Sequence, residues 1–179
     1  MPTETVSEVL RHLVRDPWRN LVLRWNWKSA TTSAVIRAAI FFFANLSAGK
    51  SAALGAMEAE FLWRFAVAGF VGSVIQSLRK AQPLWQATLV TSLALPLFNH
   101  TIEFTIHWLR GTPKLFASIL ISVCFTAIAM LFNAYAMRCG AMIIGKEGRP
   151  LWRDLADMPR LFAGFVFWLL RIQRSPRSL

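Results

Sequence analysis

Between Thr31 and Lys146 the chain carries only three acidic residues, Glu58, Glu60 and Glu103, set among long runs of leucine, valine, alanine and phenylalanine. A soluble fold of that length needs charge of both signs on its outer face, so the stretch predicts apolar surface turned toward lipid. The composition agrees: of 179 residues, 55% are apolar and 16% charged, with a mean hydropathy of +0.44. The same figures exclude a disordered or fibrous chain.

Four segments approach the roughly 20 apolar residues that a helix needs to cross a bilayer: 31–48, 61–78, 84–108 and 115–137. Arg37 interrupts the first and Arg64 the second. Pro83 and Pro113 stand where the third and fourth should begin, at first-turn positions whose missing N–H is not needed. Trp85 and Trp108 are about 34 Å apart along a helix, matching two membrane interfaces. The fold class expected is therefore an all-α integral membrane protein, a bundle of four transmembrane helices.

Lysines and arginines set the orientation. With the amino terminus inside, five lie before the first span, Arg79 and Lys80 lie between the second and third, and eight lie from Arg138 onward. The outer loops hold Lys50, Arg110 and Lys114. This asymmetry predicts a multi-pass protein with both termini cytoplasmic, in a plasma membrane of bacterial type. Residues 1–28 are expected as a basic amphipathic segment on the membrane surface, residues 29–138 as the transmembrane domain, and residues 139–179 as a basic cytoplasmic tail. Within that tail LFAGFVFWLL, residues 161–170, is about 15 Å long as a helix, half of what a crossing needs, and reads as interfacial or re-entrant. Anionic headgroups on the cytoplasmic face, and another membrane subunit or a second copy of the chain, are the partners expected; nucleic acid is not.

Several chemistries find little footing. Cys124 and Cys139 are about 22 Å apart on one helix and cannot bridge. Arginines interspersed through the first 28 residues do not resemble a cleaved leader, and the carboxyl end carries no lipidation box. Residues 44–51, ANLSAGKS, fit a relaxed phosphate-binding loop, but Ala44 replaces the first glycine and no aspartate occurs between Asp16 and Asp154 to hold magnesium. A short turn is the expected structure there.

The strongest chemical signal lies in the third segment. His100, Glu103 and His107, beside Asn99, fall on one helical stripe, with Pro96 on the same side opening a kink below it. Ionisable groups at membrane depth face a bundle interior or a wet cavity. Counting from the interfacial residues puts Arg64 and Glu60 at the levels of Glu103 and His107, which predicts an Arg64–Glu103 ion pair, with Glu60 near His107 or turned back to Arg64. Arg37 finds no acid at its own level by the same count.

The leading functional expectation is a non-catalytic subunit or scaffold of a membrane complex, its polar cluster locking the bundle or holding a small ligand or lipid. A small transporter or proton-linked carrier using the His100/Glu103/His107 stripe is the alternative. A metalloenzyme is the weaker third reading, with His100, Glu103 and His107 as ligands; the chain offers His-x-x-Glu once, where bundle metal sites use Glu-x-x-His twice. Haem fits poorly, because two histidines about 10 Å apart on one helix cannot both reach one iron. Ser118, Ser122, Thr126, Ala129 and Asn133 form a small, polar face on the fourth segment, and Gly69, Gly72 and Ser73 one on the second, both expected to pack helices closely.

Overall fold

The computed structural model describes residues 4–109 and 115–174; side chains at 44, 48, 56, 102–104, 106–109, 115–122, 124–125 and 172–174 lie outside the description. Among the described residues the chain is all-helical, with no strand. The helices are α1 Val6–Arg15, α2 Trp27–Asn45, α3 Lys50–Leu78, α4 Leu84–Leu89, α5 Leu95–Leu109, α6 Leu115–Arg138, α7 Leu151–Ala156 and α8 Met158–Arg174. One of them, α3, is long and apolar enough to cross a membrane, judged over the described residues.

Helix α1 starts from a capping box. Thr5 N–H donates to Glu8 Oε2 at 2.8 Å, and Glu8 N–H donates back to Thr5 Oγ1 at 3.3 Å. Its apolar stripe, Val6, Val9 and Leu13, is buried against Leu78, Ala81 and Ala87 at the α3–α4 corner. Glu4 and Val6 also pair their backbone with Gln82 in a single parallel bridge. Of Val9, Leu10, Leu13 and Val14, the apolar positions expected on the membrane surface, the first three pack on protein and Val14 stands exposed, with Arg11 and Arg15. Periodicity reports that a face is apolar without naming what covers it.

After Pro17 a π-helical turn, Trp18–Val22, leads to Asn26, which caps α2 by accepting from Ser29 N–H. This segment lies tight against α3: Trp25 Nε1 donates to the Ala66 carbonyl, and a Cβ on Gly69 would fall 2.0 Å from the Trp25 ring. Gly69 is therefore small because an indole occupies its side-chain space. Along α2, Ala30, Ala34 and Ala38 are buried at every fourth position, letting α2 and α3 approach as an antiparallel hairpin. The ANLSAGKS stretch closes that hairpin: a 3-10 turn, Leu46–Ala48, and Gly49 at φ 104°, a conformation that favours glycine.

The third expected segment is helical throughout its described part but interrupted. Leu95 N–H donates to Val90 carbonyl, five residues back, in a π-helical turn over Val90–Ala94. Pro96 follows immediately and is fully buried. A proline withholds one helical N–H and pushes on the preceding turn, and the extra residue absorbs the strain.

The second core lies where α6 ends. Met130, Ala134 and Met137 pack with Ile75 and with Ala141, Met142 and Ile143 of the loop that follows. That loop folds back into the bundle rather than leaving it. Helix α8 meets α6 through rings centred on one turn: Phe165 lies 5.4 Å from Phe132 and 5.7 Å from Tyr135, and Trp168 lies 5.8 Å from Tyr135. Large apolar side chains face outward on several helices, among them Ile40, Phe43, Leu62, Phe70, Leu93 and Phe98.

Candidate functional site

Helices α2, α3, α5 and α6 line an open-sided cavity of about 270 Å³. Helix α2 contributes Ser29, Thr32, Ser33, Ile36 and Arg37, one side of its turns, and α3 contributes Arg64, Val67, Ala68 and Val71. Asn99 reaches it from α5, and Thr126, Ala129, Met130, Phe132 and Asn133 from α6. Met142 and Met158 close one end. Asn133 Nδ2 lies 3.4 Å from Ser29 Oγ across that end.

At the other end Glu60 gathers two arginines. Its Oε1 accepts from Arg37 Nε at 2.9 Å and from Arg64 Nε at 3.3 Å, with side-chain exposures of 12%, 18% and 10%. The guanidinium of Arg37 also sits 5.5 Å from the Phe41 ring centroid. Glu60 does turn back to Arg64 four residues on, one of the two arrangements expected. Arg37 corrects the expectation that no acid stands at its level. The Gly49 turn, rather than Lys28 and Lys50 as the two surface marks, sets the register of this hairpin. Arg37 lies twelve residues before Gly49 and Glu60 eleven after it, so they face each other. The sequence held that signal in its turn motif.

Of the expected stripe, Asn99 lines the cavity and His100 is buried beside it at 2% exposure. The side chains of Glu103 and His107 lie outside the described residues, and the expected Arg64–Glu103 pair with them. Among the described residues no group of three His, Cys, Asp or Glu side chains gathers as a metal site. Thr126, Ala129 and Asn133, expected only as packing, form one cavity wall; Ser118 and Ser122 of that same face lie outside the described side chains. The Thr32–Ser33 hydroxyls were not singled out by sequence, although a TTS run at the head of an apolar helix is the trace they leave.

A second polar cluster, also missed by sequence, seals the end near Met142. Lys28 Nζ donates to Asp154 Oδ2 at 2.7 Å and to the Arg149 carbonyl, with exposures of 3% and 0% for the two side chains of the pair. Arg149 grips Asp154 Oδ1 through Nε and Nη2 at 3.2 and 3.0 Å, and reaches Asp157 with Nη1 at 2.9 Å. Beside it Gln76 reads the backbone of Ile144, accepting its N–H at 3.0 Å and donating to its carbonyl at 3.1 Å. Asn26 Nδ2 donates to Gln76 Oε1 and to the carbonyl of Met142, a residue held at φ 57°. At the rim Arg79 and Lys80 share Glu147. The Lys80 ammonium hydrogen-bonded to it, with Arg79 alongside, holds the Glu147 carboxyl below the usual carboxylate range.

No family model, curated protein or solved structure matches this chain. Its chemistry has to be read from the cavity and its two polar ends.

Proposed function

We propose that the chain is a non-catalytic, multi-pass membrane protein, a subunit or scaffold of a membrane complex, whose bundle holds a small ligand or lipid in the cavity between α2, α3, α5 and α6. In this reading α2, α3, the α4–α5 rod and α6 are the four spans, with both termini cytoplasmic. The observation that carries it is an inside-out distribution. Hydroxyls, amides and two arginines line an internal space, while Phe43, Leu62, Phe70 and Phe98 point outward, an arrangement that water penalises and lipid favours. The 15-to-3 split of basic residues supports the orientation. Helix α8 extends the 161–170 stretch to Met158–Arg174, about 25 Å, and the basic-residue count, which keeps its arginine-bearing end cytoplasmic, supports an interfacial placement. With the α1 stripe docked on protein, Arg11, Arg15, Arg19 and Arg24, beside exposed Trp18 and Leu23, are the groups offered to anionic headgroups.

A proton-linked carrier needs a wet route to His100, and the burial of that ring favours holding over transport. Two measurements test the proposal. Reporter fusions at Lys50 and Gly111 should read external, and those at Lys80 and Leu179 cytoplasmic; an external carboxyl terminus would reject the four-span architecture. Native mass spectrometry of protein released from its own membrane should find a bound small molecule that Ala129→Phe, which fills the cavity, removes. An empty wild type would reject the holding function.

A further inference from the structure

Glu58 and Glu60 stand two residues apart on α3, about 200° around the helix, and the fold treats them in opposite ways. Glu60 turns inward to Arg37 and Arg64. Glu58 is exposed and, among the described residues, makes no hydrogen bond or ion pair. It sits in a groove along the outer face of the hairpin, between Val35 and Ala39 of α2 and Met57, Phe61 and Leu62 of α3. Every other wall of that groove is apolar. Depth sharpens the contrast: nine residues beyond Gly49, the carboxylate lies about 14 Å along α3 from the turn, near half of the roughly 30 Å hydrocarbon core. Ionised groups at that depth are rare, costly when bare, and paired where they occur.

We propose that this groove is the docking surface for a transmembrane helix of another protein, one that carries a lysine or arginine at the level of Glu58. This rests on the reading of the chain as a subunit of a membrane complex, and adds which face meets the partner and by what chemistry. A partner at that depth has to close its own backbone hydrogen bonds, which makes it a helix. Ala38 and Ala39 leave room for its backbone to approach. Other occupants fit less well. A lipid ammonium belongs to the headgroup layer, about 14 Å away toward the turn. A metal ion would find one carboxylate and no second ligand among the walls of the groove. A second copy of this chain brings no cation to that depth. Before the closing Arg138, the spans hold Lys28, Arg37, Lys50 and Arg64. Lys28 is engaged by Asp154, Arg37 and Arg64 by Glu60, and Lys50 lies beside the Gly49 turn.

The test replaces Leu62, one turn from Glu58 on the same face, by the photoreactive residue benzoylphenylalanine in the full chain within its native membrane, and maps the adducts by mass spectrometry. The adduct should join position 62 to an apolar segment of another protein with a lysine or arginine inside it. Glu58→Gln should lower its yield at least fivefold, and Glu58→Asp no more than twofold. The unfolding midpoint of the purified chain should be unchanged in both, because Glu58 supports no bond within the described structure. An adduct to a second copy of this chain overturns the proposal, as does an adduct segment without a cation or a yield indifferent to Glu58→Gln. Adducts to lipid or within the chain alone overturn it too, while leaving α3 a span and the subunit reading standing. A probe that labels neither lipid nor protein places Leu62 in water, and removes the span together with the inference.

Discussion

Two buried charge clusters sit at opposite ends of one cavity, and they are built differently. Around Asp154 every partner is spoken for: Lys28 and Arg149 take its two oxygens, and the Arg149 carbonyl takes a further bond from Lys28. Asp154 itself is inaccessible. Around Glu60, two long cations from α2 and α3 converge on one oxygen, and both line the cavity, whereas Lys28 and Asp154 do not. A closed cluster has already spent its hydrogen-bonding capacity on the fold. The other borders the cavity directly, through Arg37 and Arg64, so a change at Glu60 alters the cavity wall while a change at the Lys28–Asp154 pair does not touch it.

That contrast is breakable. Removing one side of a fully buried pair strands the other, at a typical cost of about 3–5 kcal/mol, whereas replacing both by apolar residues is often nearly neutral. Asp154→Leu and Lys28→Met should each lower the thermal unfolding midpoint steeply in detergent, and the Lys28→Met/Asp154→Leu double variant should recover much of the loss. Additive losses would mean the two side chains do not meet in solution. The recovery should also be incomplete, because Arg149 loses the Oδ1 that accepts from its Nε and Nη2.

Glu60→Gln should be milder, about 1.5–3 kcal/mol, the scale of hydrogen bonds to charged groups, because the arginines there retain some exposure. Its signature is functional. The variant should change occupancy of the cavity by native mass spectrometry while Asp154→Asn, where it still folds, should not. Equal effects of the two substitutions on occupancy would erase the distinction between a sealing cluster and a binding one.

The smallest effect is at the rim. Glu147 has its carboxyl held below the ordinary value of 4.5 by Lys80 and Arg79, so its stabilising contribution is fully present above that ordinary value and is lost as the pH falls through the lowered one. Melting points taken from pH 6 down to pH 3 should fall less in Glu147→Gln than in the wild type, and added salt should shrink the difference. A Glu147→Gln curve that falls as much as the wild type's would mean that this rim pair adds nothing to the sealing of the cavity.

Sequence reasoning reached different depths in these regions. Apolar runs located α2, α3, the α4–α5 rod and α6 as helices, and Pro96 located the irregular turn, because each signal is local: period, length, a missing N–H. The turn at Gly49 is legible too, and it fixes the level of Arg37 against Glu60. Nothing local marks Lys28 for Asp154 or Gln76 for Ile144. Those contacts join positions 126 and 68 residues apart, and one of them uses a backbone that has no residue identity to read. The stripe of α1 sits between these cases: its amphipathicity was plain, but a docked face and a membrane-bound face carry the same periodicity. For the cavity, hydroxyls and amides spaced for close packing line a hollow equally well, so only their arrangement in space separated the two uses.

The distance along the chain between Lys28 and Asp154 also sets a timetable for biogenesis. At about 5–20 residues per second a ribosome needs roughly 6–25 seconds to synthesise the 126 residues between the cation and its acid. The first 50 of those residues complete the α2–α3 hairpin, and for the remaining 76 its leading lysine has no Asp154 to pair with. A nascent chain cut short before Asp154 keeps that ammonium outside, with the entrance beneath it unsealed. The last quarter of the polypeptide thus decides when the first hairpin is finished.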